Sequence, residues 1–344
     1  MTTIDEVANL AGVSPATVSK VINNRPYVSA EKRAVVERII AETGFMPSQR
    51  ARGLTTRRSS ILGLLVPYTS DQLFADPHLL ECMRGIESEA NLREYNLLLS
   101  TSRAPSEAAS ACTRLLRTDV IDAGIVLETD DIQPFIAGLG HHKGAIVFIG
   151  YPQAAGLHAV HADDYGGALA AIRYLTSLGH RRIGVISSRI RPFAIAERMR
   201  GVCDAFDEAG IPADDALLAL GDFSIESGEA AAEALLNLAV RPTAIFALND
   251  RMALGVMRAA SLKGLTIPAD LSVVGFDDVA LAALATPQLT TVRQPGFALG
   301  AAAARLVFEL LDGTQPEVFP VIATELLVRG STAAPRNGEG GLCD

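Results

Sequence analysis

The first sixty residues place apolar positions at helical spacing and contain no run that reads as a strand. Ile4, Val7, Ala8, Leu10 and Ala11 recur at three- and four-residue intervals behind Thr3 and Glu6, the residue types of a capping box, so a helix is expected to start at Thr3 and stop at Gly12. Ser14 then caps a second helix with Pro15 at its first position, where the missing N–H is not needed, and Val18, Val21 and Ile22 form its buried stripe. A third helix opens at Ser29, turns Val35, Val36, Ile39 and Ile40 inward and ends at Gly44. Three short helices with a tight turn between the first two make a helix-turn-helix unit over residues 1–46. The following stretch, FMPSQRARGLTTRRSS, has a Pro, a candidate Ser48 cap, four Arg and few core-forming residues. It reads as a linker, residues 47–60, able to form only a short, marginal helix.

From Ile61 the pattern changes to short apolar runs alternating with amphipathic stretches. ILGLLVP, YNLLLS, AGIVLE and AIVFIG are four expected strands, and RIGVIS, ALLALGDF, TAIFAL and LSVVGF are four more, separated by helical stretches such as ERMRGVCDAFDEAG and RMALGVMRAASLKG. Continuous apolar strands alternating with helices imply parallel sheets covered on both faces. Two such series predict two doubly wound α/β lobes over residues 61–334, with a ligand cleft between them at the carboxyl ends of the strands. The last residues, 335–344, are expected to be disordered.

Composition changes this picture in two places. Hydrophobic residues at 49% and charged residues at 20% of the 344 positions describe a globular chain. No apolar run approaches the ~18 residues of a membrane span, and MTTIDEVANLAG lacks the cationic start and apolar core of a signal peptide, so a cytoplasmic protein without membrane contact is expected. The net charge of −9 argues against a nucleic-acid partner until it is divided along the chain. Residues 1–60 hold nine Lys and Arg against five acids, a net of +4, which leaves −13 for the remainder. A basic head on an acidic body points to an anionic partner for the head alone.

Candidate chemistry follows that division. The second helix of a helix-turn-helix enters the major groove and offers its N-terminal residues to base edges. With Val18, Val21 and Ile22 inward, Pro15, Ala16, Thr17, Ser19, Lys20 and Asn23 turn outward or to the flank. Lys20 can reach guanine O6 and N7, whereas Thr17, Ser19 and Asn23 have the reach of phosphate or auxiliary base contacts. An ordinary helical hairpin with a solvated polar face fits the same residues. In the linker, Arg50, Arg52 and Leu54 suit the minor groove, with Leu54 as a wedge between base steps; the bland alternative is a tether with solvated charges.

Enzyme signals are lacking: there is no GxxxxGK[ST] loop and no GxSxG elbow, and Gly138-x-Gly140 follows no strand in the manner of a dinucleotide fingerprint. Cys82, Cys112, Cys203 and Cys343 stand far apart, and His158 and His161 have no further ligand at suitable spacing, so neither a metal nor another cofactor is expected.

The head TIDEVANLAGVSPATVSKVINNRPYVSAEKRAVVERIIAETGFMPSQRARGL closely resembles the DNA-binding head of the LacI/GalR transcriptional regulators, and SLGHRRIGVIS, ERMRGVCDAF, ALNDRMALGVMRA, LSVVGFDD and LTTVRQPGFALG resemble that family's core segments in the family's order. The resemblance implies a repressor: a homodimer of two-lobed cores like those of periplasmic sugar-binding proteins, with paired heads on a pseudo-palindromic operator and a small effector between the lobes. It divides the core into an N-lobe of residues 61–162 plus 293–321 and a C-lobe of 163–292 plus 322–334. It implies DNA contacts from Thr3, Ser14, Pro15, Ala16, Thr17, Ser19, Lys20, Asn23, Arg50, Ala51 and Leu54. Pro15 and Ala16 would set operator choice, Leu54 would intercalate, and Ala51 would pack where two hinge helices meet.

For the effector the resemblance implies Asp76, His78, Arg191, Phe193, Arg198, Asn249 and Asp277, and Asp163 matches an Asp that begins the helix after a crossover between lobes. Arg, Asp and Asn together suit a polyol, a sugar or sugar derivative, by charge-assisted bonds to adjacent hydroxyls. Without the family, Asp277 reads sooner as a strand-end turn and Arg198 as a helix-surface ion pair; their position at strand ends and first helical turns, where clefts form, turns the balance toward a site. Four features depart from the pattern. Gly150 replaces a sugar-binding aspartate, Gly296 an aromatic residue, and Asp76-Pro77-His78-Leu79, after the extra residues SDQLFA, the usual Asn-Pro-Phe-Phe. Arg189 and Arg191 near Arg198 could suit a phosphorylated or carboxylated ligand.

Overall fold

A computed structural model describes residues 2–22, 25–45, 58–101, 110, 114–115, 117–118, 120–127, 145–151, 156–189, 193–314 and 320–336. These fall into two compact units that part between Ser60 and Ile61. Asn23, Arg50, Ala51, Leu54 and Arg191, together with the expected hinge helix, lie outside the described residues.

The first unit holds α1 (Ile4–Ala11), α2 (Pro15–Ile22) and α3 (Ala30–Thr43). Thr3 and Glu6 close the capping box of α1, and Gly12, at φ 64°, ends the helix in the left-handed region that glycine adopts without strain. Val7, Ala8, Val18, Val21, Val36 and Phe45 form one buried cluster. Arg33 reaches from α3 to donate to the Arg25 carbonyl at 3.0 Å and the Val21 carbonyl at 3.4 Å, satisfying oxygens at the end of α2.

The second unit contains two six-stranded sheets. The first is formed by β1 (Ile61–Val66), β2 (Asn96–Thr101), β3 (Ala123–Leu127), β4 (Ala145–Ile149), β5 (His158–Ala162) and, far along the chain, β11 (Val321–Ile322). Its order is β2-β1-β3-β4-β5-β11, with every pair parallel. The second is formed by β6 (Ile183–Ser188), β7 (Leu218–Gly221), β8 (Ala244–Ala247), β9 (Ser272–Asp277), β10 (Thr290–Arg293) and β12 (Glu325–Leu327). It repeats the order, β7-β6-β8-β9-β10-β12, with only the last pair antiparallel. The eight apolar runs correspond to β1–β4 and β6–β9. The other four strands carry weaker patterns and lie beside the points where the chain passes between lobes.

Alternation along the strands decides which helices each face meets. Leu62, Leu64, Val66, Ile125, Leu127, Val147 and Ile149 share a cluster with α5 (Pro77–Leu92) and α11 (Gly296–Leu311), while Leu65, Val126, Ile146 and Phe148 join a cluster on the other face. A short helix, α4 (Ser70–Ala75), precedes α5 and sinks Leu73 into the first cluster. The second lobe packs α6 (Asp164–Ser177) on α7 (Phe193–Glu208), and α8 (Ile225–Leu236) on α9 (Asp250–Leu262), around Phe246 and Phe276. α10 (Ala280–Leu284) follows β9.

The lobes are joined where β5 leads into α6, where β10 leads into α11, and where β11 leads into β12. The Asp163 amide donates to the Ile322 carbonyl at 2.9 Å and the Thr324 hydroxyl to the Asp163 carbonyl at 3.0 Å, tying two of these crossings together. Pro335 and Arg336, in the tail expected to be disordered, are described, and Arg336 pairs with Asp270 at 2.6 Å; residues 337–344 lie outside the described set. Among the described residues no helix is long and apolar enough to cross a membrane.

Candidate functional site

In the head, Ser14, Pro15, Ala16 and Lys20 are exposed on α2, while Val18 and Val21 hold the opposite side in the core. The Ser14 hydroxyl accepts from the Thr17 amide at 3.3 Å and meets the Thr17 hydroxyl at 3.0 Å. Thr17 is therefore partly committed to the start of its own helix, and Ser19 is half-buried. Thr3 is exposed, and its hydroxyl caps α1. The outward face is left to Pro15, Ala16 and Lys20.

In the core, the carboxyl ends of both sheets face one cavity of about 440 Å³. Leu127, Ile149 and Ala162 end strands on one side; Asp277 ends β9 on the other, and Asp222, Asn249 and Gln294 follow β7, β8 and β10. Asp76, His78, Arg198, Asn249 and Asp277 all line it. Phe193 is not among the lining residues; its ring meets that of Tyr151 at 4.9 Å, and Tyr151 lies 3.9 Å from the ring of His161. Asp163 caps α6 by accepting from the Gly166 amide at 2.8 Å and does not line the cavity, whereas its neighbour Asp164, which the sequence reading passed over, does. Arg189 is exposed and stands outside the lining.

Arg198 is the centre of the buried end. Its Nε donates to Asp164 at 2.7 Å, its Nη1 lies 3.7 Å from Asp277 and also donates to the Leu248 carbonyl, and its guanidinium sits 3.7 Å above the Phe276 ring. The two carboxylates neutralise the guanidinium, so it presents directed N–H groups and little net charge. Asn249 caps α9 by accepting from the Met252 amide at 2.9 Å and donates to the Phe223 carbonyl at 3.2 Å. Gln294 donates to Asp277 at 3.3 Å. Below them Asp250, wholly buried, accepts from the Val279 amide and the Thr291 hydroxyl; burial and the nearby Asp277 hold its carboxyl well above the usual range.

The glycine departures have geometric reasons. Gly150 lines the cavity at φ 129°, where a side chain is strained, so an aspartate at this position would add backbone strain. A Cβ on Gly296 would lie 3.0 Å from the Glu81 Cβ and 3.2 Å from the His78 ring. The imidazole already occupies the space beside that position, and its Nε2 lies 3.8 Å from the Cys82 sulfur.

Burial, opposed by Arg198 and assisted by Asp76, raises the Asp277 carboxyl to about 7. A raised carboxyl favours folding most below its ordinary 3.8, and that contribution is lost as pH rises toward 7. A ligand whose hydroxyls donate to the ionised form acts in the opposite sense. Effector affinity is expected to fall by up to about tenfold per pH unit below 7, with proton release on binding below about pH 7 that vanishes at higher pH. Calorimetry in buffers of different ionisation enthalpy measures that proton. His78 also titrates above its ordinary value, because contact with Cys82 and Asp76 together outweighs burial. Asp277→Asn separates the two groups: a pH profile unchanged by that substitution would assign the effect to His78.

Comparison with known proteins decides the class. The model "Bacterial regulatory proteins, lacI family" matches residues 3–48, and "Periplasmic binding protein-like domain" matches residues 172–332. The chain is 35% identical to the HTH-type transcriptional regulator CelR of Thermobifida fusca over 96% of its own length and 98% of that protein's.

The chain belongs to the lacI family of bacterial regulatory proteins.

Among other lacI-family relatives, the HTH-type transcriptional repressor CytR of Escherichia coli is 32% identical over 96% of both chains. Among solved structures, a lac repressor dimer bound to operator and the anti-inducer ONPF matches 97% of this chain and 99% of its own with a TM-score of 0.88 at 27% identity. A CelR–cellobiose complex matches 96% and 100% with a TM-score of 0.73 at 33% identity. This chain is a DNA-binding transcriptional regulator built from a helix-turn-helix head and a periplasmic-binding-protein-like core.

Proposed function

We propose that the protein is an effector-controlled repressor that acts as a homodimer on a pseudo-palindromic operator in the cytoplasm, without catalysis. The observation that carries this is the closed set of directed donors and acceptors around Arg198 at the carboxyl ends of two sheets, in a chain whose head is a lacI-type DNA-binding unit. Cellobiose in the CelR complex supports a sugar as effector. Asp164 and Asp277 already take up the charge of Arg198, and Asp76 adds a further acid to the lining, which favours a neutral sugar over a phosphorylated one.

In this reading Asp164 and Asp277 accept from hydroxyls, Arg198 donates, Asn249 does both, and His78 and Asp76 form the opposite wall. In the head, Lys20 reads a base while Pro15 and Ala16 shape the same contact; Thr3, Ser14, Thr17 and Ser19 position the head on phosphates. Effector and operator are then linked reciprocally through the dimeric core.

The test begins with full-length protein and a random duplex pool. Selected sites should show inverted half-sites, and Lys20→Ala should lose about 1–3 kcal/mol of discrimination at one symmetric position. Uniform weakening across all sites would reduce Lys20 to a phosphate contact. Failure to enrich any sequence would leave a small-molecule sensor without operator binding as the better description.

A further inference from the structure

The extra residues between β1 and α5 fold into α4, which forms part of the cavity wall. Thr69 and Gln72 close a capping box: the Gln72 amide donates to the Thr69 hydroxyl at 3.3 Å, and the Thr69 amide donates to Gln72 Oε1 at 3.0 Å. Leu73 is fully buried in the N-lobe core, and the Asp76 amide donates to the Leu73 carbonyl at 3.2 Å, so α4 runs directly into the cap of α5. The helix is thus anchored at both ends and by its apolar side. Tyr68, Asp71, Gln72 and Ala75 line the cavity. Because Oε1 of Gln72 is taken up by the cap, what this side chain has to offer a ligand is its NH2 group.

Burial separates the polar lining into two groups. Asp164, Arg198, Asn249 and Gln294 are buried, at 2%, 6%, 3% and 8% exposure, and mark the closed end together with Asp277. Asp71, Gln72 and Asp222 are exposed, and Ser224 and Arg251 are half-buried; these mark the mouth. The mouth group draws on both lobes, with α4 on one side and the turn after β7 and the first turn of α9 on the other. Asp222 is held in place by the Ser224 and Ser227 hydroxyls, which keep its carboxyl below the usual range and ready to accept.

We propose that α4 builds a second subsite at the mouth, so that the effector is a neutral oligosaccharide of at least two units. One unit sits among Arg198, Asp164 and Asp277; the next lies under α4 between Gln72 and Asp71 on one lobe and Asp222, Ser224 and Arg251 on the other, with Tyr68 as an aromatic wall. The cavity of about 440 Å³ lies within the ~300–1,000 Å³ of small-molecule sites. Donors and acceptors at the mouth favour a hydroxylated second unit over an apolar aglycone, and two carboxylates against one guanidinium disfavour an anionic one. This inference rests on the sugar reading proposed above and adds the length of the ligand and the element that selects it.

Calorimetry or thermal shift on the full-length protein tests it with matched pairs: methyl β-glucoside and cellobiose, methyl α-glucoside and maltose, methyl β-galactoside and lactose. At least one disaccharide should bind ten times more tightly than its methyl glycoside. Gln72→Glu keeps the acceptor that caps Thr69 but removes the NH2 donor, and in this variant the ratio should fall to within about threefold. Asp71→Asn, which leaves the capping pair untouched, should reduce the same ratio. A methyl glycoside that binds as tightly as its disaccharide, or a ratio unchanged in both variants, overturns the second subsite and leaves the sugar reading standing. No response to any sugar in the series overturns the sugar reading itself, and the subsite with it.

Discussion

Arg198→Ala is expected to lower the stability of the core by about 3–5 kcal/mol and to abolish the response of operator binding to effector. Read as a ligand contact alone, the residue would affect response and nothing else. The structure gives it a second task. Its side chain is 7% exposed and bridges Asp164 and Asp277, at 3% and 9%, so truncation leaves two carboxylates buried without their cation. Both already sit above the usual carboxylate range because burial opposes their charge, and removing Arg198 takes away the main opposing influence on each. Chemical denaturation of the full-length protein at a pH above 7, where Asp277 is largely ionised, reads the stability loss. Operator binding by the folded variant, with and without sugar, reads the response. The triple variant Arg198→Met, Asp164→Asn, Asp277→Asn should recover part of the stability but none of the response, since the buried charges have gone and so have the hydroxyl contacts. An unfolding midpoint unchanged in Arg198→Ala would show that the three groups do not depend on one another.

Gly300→Ala should destabilise the first lobe by about 1–3 kcal/mol and weaken effector binding. Two effects compete at this position. Alanine gains about 1 kcal/mol over glycine within a helix, which alone would predict a stabilised protein. Against this, a Cβ at residue 300 falls well inside van der Waals contact of the Cys82 carbonyl oxygen on α5, and a Cβ on Gly85 would meet the Phe297 carbonyl and the Ala301 amide on α11 in the same way. The two helices cross backbone to backbone, and neither contact is a flexible side chain that could turn aside. Separation of the helices is the available relief. That movement would carry His78, Leu79 and Cys82 away from Leu299, all of which line the cavity. A raised melting temperature would sink the argument by showing that propensity outweighs the crossing.

These two residues show how unevenly the protein could be read from its chain. The family resemblance singles out Arg198, but its partners are remote in sequence: Asp164 lies 34 residues away, and Asp277 ends a strand in a later part of the lobe. The sequence reading places Asp163 at the start of the helix after the crossover, where the structure has it as the cap, but passes over Asp164, which enters the cavity. Adjacent aspartates at a helix start cannot be told apart by pattern, because the direction of each side chain depends on the approach of the preceding strand. Gln294 was missed for a related reason, since it follows β10, a strand of the type TTVR in which buried Thr290 and Thr291 make hydrogen bonds in place of an apolar run.

The chain by itself determined what depends on neighbours within a few residues: the capped helices of the head, the buried stripe that turns Lys20 outward, and the eight apolar strands whose alternation with helices requires two doubly wound lobes. Helical and strand periodicity arise from local geometry, and burial of a continuous face is needed wherever such an element folds. Only the tertiary structure decided which charges share the cavity, that Arg198 is neutralised before a ligand arrives, that His78 occupies the space beside Gly296, and that the inserted residues form a wall with polar groups at the mouth. Those outcomes depend on strand ends and helix starts brought together from distant parts of the chain, where position and burial set the charge state that composition leaves open.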